Sequence, residues 1–179
     1  MPGPDDTLDA LLRFQMPAPM STLYRAVRVA GRNDARWTAT LRLAEGAARY
    51  LALVALAQAA RTEVPRAQWR SWIKLLEKPG YGGYLALWVQ ATTHLKSQGG
   101  PFLAETAALA DEAGPWLRAQ TVLVSLRNDQ AHREPTLPEE RAASLLQTHA
   151  TDIDTVLGGL AFLAHYPMGT AEGLRRVGT

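Results

Sequence analysis

From residue 34 to residue 60 the sequence is one run of helix formers, and its second half is nearly all apolar. A helix that is apolar all round must be buried. This run therefore predicts a central helix with the rest of the chain wrapped around it. The remainder reads the same way. Ala, Leu, Arg, Gln and Glu fill long stretches, and no period-2 alternation of β-branched residues persists beyond a few positions. The expected class is all-α, built as one domain, since 179 residues suffice for one core and fall short of two.

Glycine and proline divide the chain. Turn signals stand at Gly31-Arg32-Asn33-Asp34, Lys78-Pro79-Gly80, Gly82-Gly83, Gly99-Gly100-Pro101, Gly114-Pro115 and Pro135 to Pro138. Between them the expected helices cover residues 21–29, 34–60, 65–77, 84–96, 101–113, 115–131 and 136–164. Ser21 is expected to cap the first, and Asn33 or Asp34 the second. Thr136 followed by Glu139 is close to a capping box for the last. Residues 1–20 read as an N-terminal extension, 21–166 as the helical domain, and 167–179 as a tail or linker.

Composition narrows function. Nineteen Lys+Arg against 17 Asp+Glu leave a net charge of +2, without the basic stripe of a dedicated duplex-DNA binder. No cysteine is present, so disulfides and thiolate metal sites are excluded. The opening Met-Pro-Gly-Pro-Asp-Asp is unlike a secretory signal. A membrane span needs about 20 predominantly apolar residues. The uncharged run at 50–60 is too short, and that at 155–171 is interrupted by Gly158, Gly159, His165, Pro167 and Gly169. A soluble, cytoplasmic protein without membrane contact is expected.

One segment concentrates chemistry: Leu126-Arg127-Asn128-Asp129-Gln130-Ala131-His132, where an apolar helix becomes polar just before Pro135. Arg127 lies one turn after Leu123, so its stem should be partly buried. Asn128 and His132 are four residues apart, about 6 Å at Cβ, which lets the amide orient the imidazole. Arg127 and His132 are five apart, about 140° around the axis. They converge if the helix ends near Ala131 or if the long arginine wraps back. A guanidinium holds phosphate oxygens and offsets transition-state charge. An imidazole moves a proton near neutral pH. Together they suit RNA cleavage through the ribose 2′-hydroxyl, which needs no metal or other cofactor. The plainer reading is a polar helix C-terminus, where the helix dipole favours Arg and His. Glu45, set among Leu41, Leu43, Ala44, Ala47 and Ala48, is either an ion-pair partner aiming Arg127 or a solvated residue at a helix edge.

The arginine with Asn128 directly after it and His132 five residues on, in an all-helical chain, resembles the HEPN superfamily of small helical domains. The long helix carrying Glu45 and the helix after Pro135 are similar to that family's layout, over roughly residues 34–164. The resemblance implies an up-down helical bundle that dimerises, so that two motifs share one cleft. It also implies a metal-independent endoribonuclease leaving 2′,3′-cyclic phosphate ends, or a non-catalytic interaction or sensing module of a larger protein. The partners implied are RNA, a second copy and, for some members, another protein, in bacterial defence or stress. Arg127 would bind phosphate, His132 would be the general acid/base, and Asn128 and Glu45 would orient or contact substrate. Members modified by a nucleotidyltransferase carry a tyrosine two residues after the histidine. Here that position is Glu134, so such modification is not expected.

His94, His149 and His165 read as isolated surface or core histidines. His149 with Asp152 and Asp154 has near-helical spacing but lacks a further His or Cys, and no metal site is expected. Trp69, Trp72 and Trp88 with Tyr81 and Tyr84 read as packing around the Pro79-Gly80 turn, with a base-stacking platform as the alternative.

Overall fold

A computed structural model describes residues 4–77, 79–133 and 136–166. Glu134 and Pro135, and the tail from residue 167, lie outside the described residues. Among the described residues there are nine α-helices and no strand. They are α1 (Pro4–Phe14), α2 (Ala18–Val29), α3 (Asn33–Ala59), α4 (Arg66–Glu77), α5 (Tyr81–Ser97), α6 (Thr106–Leu109), α7 (Pro115–Arg133), α8 (Glu139–Thr148) and α9 (Ala150–Leu160), which ends in a 3₁₀ turn, Ala161–His165.

The long apolar run forms the centre, as its composition requires. α3 packs against α2, α5, α7, α8 and α9. Its buried positions are mostly alanine: Ala44, Ala47, Ala48, Ala52, Ala55 and Ala59. Small side chains let neighbouring helix axes approach closely, and Trp37, Leu41 and Leu51 fill the remaining space. None of the described helices is long and apolar enough to cross a membrane.

Several boundaries differ from expectation, each for a local reason. Ser21 does not cap α2. The helix begins three residues earlier, after Pro17 and with Pro19 in its first turn, and the Ser21 hydroxyl back-bonds to Ala18 O at 3.3 Å. α5 begins at Tyr81, passing through Gly82 and Gly83, because Tyr81 is fully buried and anchors the first turn. The expected helix over 101–113 contracts to α6. Gln58 holds Gly100 O at 3.0 Å and accepts the Phe102 amide, drawing the chain out of helical geometry. The last expected helix is two, broken at His149 (φ −104°, ψ 18°), whose Nδ1 lies 3.1 Å from Asp152 Oδ2 in the first turn of α9. Thr136 caps nothing: α8 follows Pro138, and Glu139 turns instead toward the start of α3, 3.5 Å from Asn33 N and 3.8 Å from Arg32 Nε. Neither Asn33 nor Asp34 caps α3. Asp34 is held by Arg32 at 3.0 Å, and that hydrogen bond is the first cause of its lowered pKa.

Residues 1–20 include α1, whose Leu12, with Met16 and Met20 beyond it, joins the same core. Asp9 ties α1 to α2 by accepting the Tyr24 hydroxyl at 2.8 Å and pairing with Arg28 at 3.0 Å. Burial first, and the Asp9 hydrogen bond second, push the Tyr24 pKa up from 10.0 to about 12. A folded pKa raised above the unfolded one contributes stability that is complete below pH 10 and is lost as pH rises through about 12. The unfolding free energy should therefore fall between pH 10 and 12, and fall less steeply in Tyr24→Phe. Urea melts across that range check it, and equal slopes for the two proteins would remove Tyr24 from the account.

Candidate functional site

α7 carries the Arg-Asn-…-His segment, and its local sequence sets the geometry. Leu123 is fully buried and fixes the face of α7 that meets the core. One turn on, Arg127 extends along α3, and its Nε lies 3.6 Å from Glu45 Oε2. The Arg127 side chain remains 38% exposed and that of Glu45 28%, so the ion pair is neither sequestered nor freely solvated. Of the two readings of Glu45, the structure adopts the ion pair. At this exposure its contribution to stability is within about 1 kcal/mol. Geometrically, it places the Arg127 Nε beside α3.

Near enough to Glu45 to feel its charge lies a buried polar pair that the sequence did not announce. Tyr81 on α5 donates its hydroxyl to Gln120 Oε1 on α7, and both side chains are fully buried. The Tyr81 hydroxyl is pushed far above its ordinary pKa, first by burial and then by the negative charge of Glu45. Gln120 Nε2 is buried without a hydrogen-bond partner among the described residues. Tyr81 lies in the Gly-Tyr-Gly-Gly stretch that reads as a turn, and Gln120 in an ordinary helix. No sequence signal joins them.

The rest of the motif faces elsewhere. α7 continues through Arg133, so the early end that would have turned His132 toward Arg127 does not occur. The two side chains leave the helix about 140° apart. Asn128 and His132 are both exposed, and among the described residues neither side chain has a hydrogen-bond or ion-pair partner, the other included. On the helical wheel they continue the stripe of Leu117, Thr121 and Val124, which lines a shallow groove between α5 and α7. Gln130, on the other side, turns inward and accepts the indole N–H of Trp37 at 2.9 Å.

Of the remaining candidates, His94, His149 and the buried aromatic residues are structural. His94 meets Thr62 Oγ1 at 2.9 Å and packs edge-on to Trp72. His149 packs near Trp37 with its ring centroid 6.4 Å away. Trp72, Trp88 and Tyr81 are fully buried, so they pack and do not offer a stacking platform. Among the described residues no three His, Cys, Asp or Glu side chains gather where they could hold a metal ion.

No protein-family model, curated protein or solved structure matches the chain.

Proposed function

We propose that this chain is a HEPN-like helical domain that cleaves single-stranded RNA without a metal, at a site assembled from two copies. The observation that carries the reading is Arg127. It pairs with Glu45 of α3 at 3.6 Å, yet more than a third of its side chain stays open to solvent. A partly exposed arginine with donors to spare can hold phosphate oxygens in a bidentate pair. Exposed Asn128 and His132 on the same helix supply an amide and a proton acceptor.

Within one protomer Arg127 and His132 diverge, so the reading requires Arg127 of one copy and His132 of the other to meet across a two-fold interface. His132 then takes the proton of the ribose 2′-hydroxyl, and the 2′ oxygen attacks the adjacent phosphorus. The guanidinium of Arg127 offsets the charge gathering on the phosphoryl oxygens. The 5′ oxygen leaves, taking its proton from water, and the products are a 2′,3′-cyclic phosphate and a 5′-hydroxyl end.

The test is incubation of the purified protein with labelled single-stranded RNAs in excess EDTA, followed by end-group analysis. Cleavage leaving cyclic phosphates is the expected outcome. Cleavage that EDTA abolishes, or intact RNA, sinks the proposal. Intact RNA would favour a second reading, a non-catalytic docking module. That reading draws on the Arg127–Glu45 pair, which already occupies one side of the guanidinium.

A further inference from the structure

A cavity of about 440 Å³ opens between α2, the first half of α3, the last turn of α7 and the residues just before α8. That is within the range of small-molecule pockets. Its apolar wall includes Leu23, Ala39 and Leu137, and its polar groups include Thr38, Arg42 and Gln130.

The charged groups and Gln130 have defined states. Arg42 is exposed and has no ion-pair partner among the described residues. Asp34, also on the wall, has its charge offset by Arg32 at 3.0 Å. Gln130 spends its oxygen on the Trp37 indole, which is a donor only, so its NH₂ remains to donate. The cavity thus presents one unpaired cation, amide and hydroxyl donors, and an apolar wall. The matching ligand has an anionic group, an apolar body and hydrogen-bond acceptors. A nucleotide has all three.

The location connects the cavity to Arg127. Arg42 precedes Glu45 by three residues on α3, about 4.5 Å of helix rise and on neighbouring faces. The unpaired guanidinium therefore stands one turn from the Arg127–Glu45 pair. Gln130 follows Arg127 by three residues on α7, at the same relative spacing.

We infer that this cavity is a nucleotide subsite, in which Arg42 binds a phosphate while the base rests on Leu23, Ala39 and Leu137 and is read by Thr38 and Gln130. Resting on the ribonuclease reading, the occupant is the nucleotide next to the phosphate at Arg127. Reading unstacked bases in pockets is how single-stranded RNA is ordinarily recognised.

The test follows backbone amide NMR signals of the whole chain during titration with three probes. These are a short 2′-O-methylated single-stranded RNA, which cannot be cut through its 2′ oxygen, the adenosine and uridine monophosphates, and the corresponding nucleosides. With the RNA, signals of Ala35, Ala39 and Gln130 should move saturably. Arg42→Gln should weaken that binding about tenfold, the loss of one charge-assisted phosphate contact. Ala35→Trp fills the cavity from an exposed position on α3, and should abolish these shifts with an unchanged circular dichroism spectrum. Nucleosides should bind more weakly than monophosphates. Saturation by monophosphates with no response to RNA supports a nucleotide site, names a free nucleotide as its ligand, and overturns the RNA assignment. No shift at these positions with any probe, or RNA binding indifferent to both variants, overturns the subsite. Failure of the ribonuclease reading is separate: it appears as shifts at the cavity without cleavage in EDTA.

Discussion

Gly159→Ala should destabilise the protein by about 1–3 kcal/mol, while Gly158→Ala, one residue earlier on α9, should stabilise it by about 0.5–1 kcal/mol. Both changes remove the same backbone entropy from the unfolded chain and give the same gain in helix propensity. They differ in what the new methyl group meets. At Gly158 it points into open space. At Gly159 it would overlap Trp116 Cδ1 and lie 2.5 Å from Nε1. Trp116 cannot easily yield. It is 2% exposed, its indole N–H donates to Val156 O at 3.1 Å, and its ring meets Trp88 edge-on with centroids 5.1 Å apart. Moving the ring breaks one or both contacts. Urea denaturation at one fixed protein concentration measures the gap between the two variants, expected at about 1.5–4 kcal/mol. A Gly159→Ala protein as stable as Gly158→Ala would mean that α9 does not rest on Trp116 as described.

That contact illustrates what the sequence could and could not convey. The class and the central helix were legible because they depend on composition over many residues: a run as apolar as that ending in α3 has only one place to go. Pro115 marked the start of α7 because a proline without its N–H suits a first turn. The break at His149 was not legible. No glycine or proline marks it, and the helix stops because the chain leaves α3 to reach α7, an event of tertiary packing. α1 was missed for the same reason. It begins at a proline amid polar residues, and its fully buried Leu12 signifies only once the core it enters is known.

The candidate site divides along the same line. Glu45 as a partner for Arg127 was available from charge and setting. The direction of His132 depended on whether α7 ended before or after it, which spacing left open. The Tyr81–Gln120 pair and the cavity at Arg42 join residues from different helices and leave no trace in any local pattern.

In a cleavage assay His132→Ala should lose about 10²–10⁴-fold, the usual contribution of a positioned general base. Arg127→Ala should lose about 10²–10³-fold, comparable to removing one donor to a developing oxyanion. Arg127→Lys should recover little, because an ammonium cannot present two parallel donors to a phosphate. Glu45→Gln should cost much less, since it removes a partly exposed ion pair without touching substrate. The decisive measurement mixes the two inactive variants. If each site takes its arginine from one copy and its histidine from the other, a mixed dimer of His132→Ala and Arg127→Ala chains contains one intact site and one doubly defective site. After subunit exchange half the dimers are mixed, so about a quarter of the wild-type activity should return. Neither variant alone can do this. No recovery, with exchange verified by mass spectrometry, would exclude a site shared between copies. As the two side chains leave α7 about 140° apart, it would remove the ribonuclease reading as well and leave Arg127–Glu45 as a strut within a docking module.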